Sequence, residues 1–136
     1  RLSKLTGRDE YRQRGDRAIA AFSGILAKWP SALSEMLLAM DFRNGRVQEL
    51  IIVTPEGAPS TKARPFLDQL TKRFVPNRVV ITVAEGDEQG SLAKLVPMVT
   101  DKIAQGGVVT AYLCEQGVCK QPTTDVDELA RLLSGN

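Results

Sequence analysis

Glu49-Leu50-Ile51-Ile52-Val53-Thr54 and Arg78-Val79-Val80-Ile81-Thr82-Val83 are the two stretches that decide the fold. Each centres on an unbroken apolar run and is set off by turn formers: Pro55-Glu56-Gly57 follows the first, and Pro76-Asn77 precedes the second. Runs of this kind predict strands buried on both faces, as in a parallel sheet sandwiched by helices. Between them Phe66, Leu67, Leu70 and Phe74 recur on one side of a helix. It begins between Ser60 and Pro65, with Pro65 the best fit to a first helical position, and reaches Phe74. Strand, helix and strand make a βαβ unit, whose crossover is expected to be right-handed.

Outward from this unit the pattern is helical. Upstream, residues 8–29 carry Ala18, Phe22, Ile25, Leu26 and Trp29 at three- and four-residue spacings, with charges around the rest of the wheel. Pro30 ends that helix. A second, with Leu33, Met36, Leu37 and Met40, stops near Asn44-Gly45, so the two predict an αα-hairpin suited to packing on other helices. Downstream, Glu85 to Gly90 is polar and reads as loop, with a short helix from Ser91 to Leu95 cut off by Pro97. A third strand is expected over Val108 to Cys114. A last helix is expected over Asp125 to Leu133, with Thr124 as its cap and acidic residues in its first turn. The expected architecture is therefore α/β: a small, mainly parallel sheet of about three strands flanked by helices, preceded by the hairpin. The division falls at residues 1–45 and 46–136.

Composition narrows the chemistry. The chain has 136 residues and no His, which removes His general bases, Ser–His and Cys–His pairs and imidazole ligands. With 18 Lys and Arg against 16 Asp and Glu, the net charge is +2. The basic clusters at Arg8, Arg12, Arg14, Arg17 and at Lys62, Arg64, Lys72, Arg73 are broken by acids and lack interleaved aromatics, so no nucleic-acid partner is expected. No run approaches the ~18 apolar residues of a membrane span, and no membrane partner is expected. Residue 1 is Arg, which suggests a processed chain or a fragment.

Two cysteines are too few for a disulfide scaffold, which favours a cytoplasmic, reducing setting. Their placement is nevertheless specific. If Gln116-Gly117 is a two-residue turn, Glu115 faces Val118 and Cys114 faces Cys119, the latter as a non-hydrogen-bonded pair within disulfide reach. A ring that small would stabilise by only roughly 2 kcal/mol. Three readings stay open: two reduced thiols filling core volume, a cross-strand disulfide, or a redox-active or metal-binding pair. Two thiolates alone do not complete a zinc site, and four intervening residues is not Cys-X-X-Cys, so neither metal nor cofactor is expected. The turn Thr54, Glu56, Gly57 lies at the carboxyl end of the first strand, where open α/β sheets bind ligands, but it carries no phosphate-binding glycine motif. The loop carboxylates Glu56, Glu85, Asp87, Glu88 and Glu115 read as a solvated face, and no catalytic residue is assigned.

The order of motifs adds a resemblance. Pro30-Ser31-Ala32-Leu33 and Met36 to Asp41 precede the βαβ unit, which runs into Phe74-Val75-Pro76-Asn77-Arg78-Val79-Val80. Then come Thr110-Ala111-Tyr112-Leu113-Cys114, Val118-Cys119, and Pro122-Thr123-Thr124-Asp125 with Glu128-Leu129. Over nearly its whole length the chain resembles the C-terminal region of the thioredoxin-domain-containing proteins related to spermatogenesis-associated protein 20 and their bacterial homologues. The resemblance implies an upstream thioredoxin-like domain and an α/α barrel like that of sugar epimerases, with any carbohydrate chemistry located there. This chain has no Cys-X-X-Cys, so the family's redox motif maps onto none of its residues. Cys114 and Cys119 match family cysteines without an assigned role. On this reading the hairpin ends the barrel, and the chain is a non-catalytic domain that braces it or mediates assembly. Its partners would be the upstream domains of the same protein, or a second copy through the hairpin. The alternatives are a thiol switch at Cys114/Cys119 and a small-ligand site at the sheet's carboxyl edge.

Overall fold

The computed structural model describes residues 1–135. A short helix α1 (Leu2–Thr6) and a long one, α2 (Asp9–Lys28), are followed by a 3₁₀ turn at Pro30–Leu33 and by α3 (Ser34–Asn44). The α/β part then runs β1 (Gln48–Thr54), a 3₁₀ turn leading into α4 (Arg64–Thr71), β2 (Arg78–Ala84), α5 (Asp87–Ala93), β3 (Thr110–Glu115), β4 (Val118–Cys119) and α6 (Val126–Leu133).

The sheet departs from the expectation in number and direction. It has four strands in the order β2-β1-β3-β4. β1 and β2 are parallel, with Leu50 opposite Val80, whereas β3 runs antiparallel to β1, with Leu50 opposite Leu113. The sheet is therefore mixed. An unbroken apolar run reports burial on both faces and carries no information on the direction of its neighbour, so the third strand's polarity is invisible in its composition. On one face Leu50, Ile52, Ala111 and Leu113 pack against Phe66 and Leu70 of α4 and Leu129 and Leu133 of α6. On the other, Ile51, Val53, Ile81, Val83 and Tyr112 pack against Val96 and Val99, with Leu92 of α5 and Leu5 of α1 at the margin.

Three local readings also change. The polar segment after Gly86 is helical: α5 starts at Asp87, where Asp87 and Glu88 meet the positive helix end, rather than at Ser91. Gln89 then braces it by donating from Nε2 to the carbonyls of Val99 and Lys102, both at 2.6 Å. Helix α4 stops at Thr71, which leaves Phe74 outside it and 93% exposed instead of on its buried side. The cap of α6 is Asp125, not Thr124: its carboxylate accepts from the backbone N–H of Asp127 at 2.7 Å and of Glu128 at 3.3 Å. Asp125→Ala is expected to cost about 1 kcal/mol of stability in a denaturant melt, with Asp125→Ser recovering most of it. An unchanged midpoint in Asp125→Ala would show that the cap contributes nothing.

Candidate functional site

Three places in the fold hold the residues of interest. The carboxyl edge of the parallel pair comes first. Thr54 ends β1 and is buried, while Glu56 and Gly57 lie exposed in the turn closed by the Ala58 N–H on the Pro55 carbonyl. Gly57 adopts φ 71°, and Gly86 across the edge adopts φ 92°, conformations that favour glycine. The Glu56 carboxylate lies over Gly86, so near that a Cβ there would sit 2.7 Å from its Oε1. A cavity of about 130 Å³ opens beside this turn, lined by Thr54, Ala58, Ser60, Thr82 and Glu88. Glu56 and Gly57 do not line it, and ligand pockets are usually some 300–1,000 Å³. Glu85 points elsewhere, accepting from the Ala104 N–H at 2.7 Å. The edge thus brings Thr54 and Glu88 to a small polar hollow and turns Glu85 to bracing the backbone.

The second place is the far end of the sheet. Gln116 and Gly117 form the turn of a tight hairpin, both with positive φ, at 52° and 82°. Cys114 of β3 is paired with Cys119 of β4 and Glu115 with Val118. The two sulfurs are joined, Sγ to Sγ at 2.07 Å, with a Cα separation of 3.8 Å. Cys114 is buried among the apolar residues of the α1 face, whereas Cys119 is exposed. On its other side Cys114 is register-paired with Glu49 of β1, a buried carboxylate 3.4 Å from Lys4 Nζ of α1. Neither α1 nor this ion pair was anticipated. Residues 2–6 are too few for a periodic signal, and Glu49 reads as the polar start of a strand.

The helices form the third. Arg43 of α3 donates through Nε to Asp16 of α2 at 2.8 Å and through a terminal nitrogen at 3.4 Å. That hydrogen bond and the Arg43 charge hold the Asp16 carboxyl below its ordinary value. Beside the bridge lies an open groove of about 820 Å³ between α2 and α3, with Gly15, Ile19, Met36, Ala39 and Phe42 on its walls. Leu26 is buried. Its companions Phe22, Ile25 and Trp29 are 45%, 46% and 64% exposed, and Leu37 and Leu38 of α3 are 40% and 60% exposed. The apolar side of the hairpin predicted from periodicity is therefore mostly uncovered within this chain. Among the described residues, no group of His, Cys, Asp and Glu clusters tightly enough to hold a metal ion. No helix of the described residues is long and apolar enough to cross a membrane.

These features define a mixed α/β fold preceded by helices, with a cystine at one end of its sheet. No family model matches the chain. Spermatogenesis-associated protein 20 of Homo sapiens is 30% identical over 133 residues, which is 98% of this chain and 16% of the human protein. The proteins of the same name from Rattus norvegicus and Mus musculus are 30% and 29% identical over the same span. The chain is a relative of spermatogenesis-associated protein 20 and corresponds to a C-terminal part of it. It spans about one sixth of the length of these curated relatives.

Proposed function

We propose that this chain is a non-catalytic C-terminal module of a multidomain protein, with a structural or assembly role carried by its helical hairpin. The division falls at residues 1–45 and 46–136, the hairpin serving as the docking element and the α/β part as its rigid seat. The observation that carries this reading is the uncovered apolar stripe Phe22, Ile25, Trp29 on α2 with Leu37 and Leu38 on α3. Large apolar side chains left exposed on successive turns of one helix mark an interaction surface. The relatives supply the occupant by proportion: most of their length lies outside the part matched here. An upstream region of the same protein with an apolar face that covers this stripe is the partner that fits.

Trp29 is the chain's only tryptophan and stands on the proposed interface, so it reports the docking directly. Its emission in the isolated chain is expected to be red-shifted and quenched by acrylamide. Titrating in the separately produced upstream region should shift it to the blue and protect it. Phe22→Ser or Leu38→Ser should each weaken that association about tenfold, the cost of losing one central apolar anchor. Unchanged quenching together with unchanged affinity in both variants would remove this reading. Saturable self-association with the same two dependences would instead assign the surface to a second copy.

A further inference from the structure

We propose that Cys114–Cys119 is a thiol–disulfide exchange site whose substrate is an external dithiol, with Cys119 the sulfur attacked and Cys114 the sulfur that leaves. The site lies at the opposite end of the sheet from the turn after β1, and the docking surface plays no part in it. Three observations converge on it.

The first is the asymmetry of the two sulfurs. Cys114 is 4% exposed and belongs to the apolar cluster under α1, while Cys119 is exposed on an edge strand of two residues. No described strand lies outside β4 in the sheet. Exchange requires the incoming thiolate to approach one sulfur along the S–S axis, from the side away from the other. Cys119 is the exposed residue of the pair, and Cys114 is set in the packed core. Attack therefore has one open direction.

The second is that backbone pairing holds the hairpin on both sides of the bond. The Gln116–Gly117 turn sets the two strands face to face, and the Lys120 N–H donates to the Leu113 carbonyl at 2.8 Å just beyond the cystine. Ala111 and Thr123 then exchange two backbone hydrogen bonds, at 2.8 and 3.0 Å. Backbone pairing thus brackets the cystine, so the opened thiols stay opposite one another and positioned to close again.

The third is isolation. These are the chain's only two cysteines, so neither thiol has another partner within it.

The step balances as follows. A thiolate of the dithiol attacks Cys119 Sγ. The bond to Cys114 breaks, and Cys114 leaves as a thiolate that takes a proton from water. The second thiolate of the reductant then attacks its own sulfur in the mixed disulfide and releases Cys119. Two electrons pass to the protein, which gains two thiols, and the dithiol becomes a disulfide.

The test uses the whole oxidised chain under native conditions, with dithiothreitol as the dithiol, alkylation and intact mass as readout, and circular dichroism as the check on folding. The cystine is expected to open at millimolar dithiothreitol with the fold retained, and to close again with oxidised glutathione. In single variants, Cys114→Ser should form a glutathione mixed disulfide through Cys119 at least about tenfold faster than Cys119→Ser does through Cys114, because thiol access controls the rate. A cystine that yields only once the chain is unfolded would overturn the proposal. So would equal rates in two variants that both retain the native dichroism spectrum.

Discussion

Ile52→Ala is expected to remove about 3–5 kcal/mol of stability, enough to leave a domain of this size only marginally folded. Ile52 lies at the centre of β1, and β1 is itself held on both sides, by β2 and by β3. Its side chain is fully buried in the cluster that β1 shares with Phe66 and Leu70 of α4 and Leu129 of α6, so the cavity opens in a core built by three elements. The strand cannot relax into the vacancy, because both its ladders fix its position. The full cavity penalty therefore adds to the lost transfer free energy. Urea unfolding should give a lower midpoint with an unchanged slope, since the surface exposed on unfolding is nearly the same. Phe74→Ala is the control: Phe74 is larger but 93% exposed, and its removal should change stability by no more than about 0.5 kcal/mol. Equal losses in the two variants would show that the β1 core is not where the fold is held.

Lys4→Met is expected to cost about 2 kcal/mol, most of it through Glu49. The Glu49 side chain is 8% exposed and lies 3.4 Å from Lys4 Nζ, whose own side chain is 38% exposed. Removing the ammonium leaves a nearly buried carboxylate without its counter-charge, and that desolvation is what costs stability. The pair itself contributes less, because water already screens the lysine end. The double variant Lys4→Met with Glu49→Leu should therefore recover most of the loss, despite having neither charge. The recovery would appear as a coupling energy in a double-mutant cycle. Additive losses would mean that α1 is held by Leu5 packing alone and that the ion pair is incidental.

How much of the molecule was legible differs from element to element. The βαβ unit stood out because β1, α4 and β2 each carry their own periodicity and their own stops. The hairpin at Gln116–Gly117 was legible only conditionally: a two-residue turn there pairs Cys114 with Cys119, while two reduced thiols in the core fitted the same residues. The stripe on α2 could be read from spacing, but spacing says only that Phe22, Ile25, Leu26 and Trp29 share a side. That Leu26 alone is buried depends on which elements of this chain reach that side. The start of helix α5 was misplaced because its first turn is polar: that turn is stabilised by end charges and by Gln89 bonding to distant carbonyls, neither of which leaves a periodic trace. The candidate sites divide in the same way. The cysteines were found by local geometry, whereas the Lys4–Glu49 pair beside them joins residues 45 apart and has no local signature.

By itself the sequence determined where β1, β2, β3 and the longer helices lie and how α6 is favoured at its acidic start, and it put Cys114 opposite Cys119 only on condition that Gln116-Gly117 is the turn. It also excluded chemistry that needs histidine. Each of these follows from interactions within a few residues, whose energies are set by the local chain. The tertiary structure alone decided that β3 runs against β1, that a fourth strand closes the order β2-β1-β3-β4, that α1 is pinned to the sheet through Glu49, and that one face of the hairpin is left bare. Those outcomes turn on packing between segments far apart in the chain. A strand buried on both faces satisfies its side chains in either direction, and an apolar helix face is covered or exposed according to what stands opposite it.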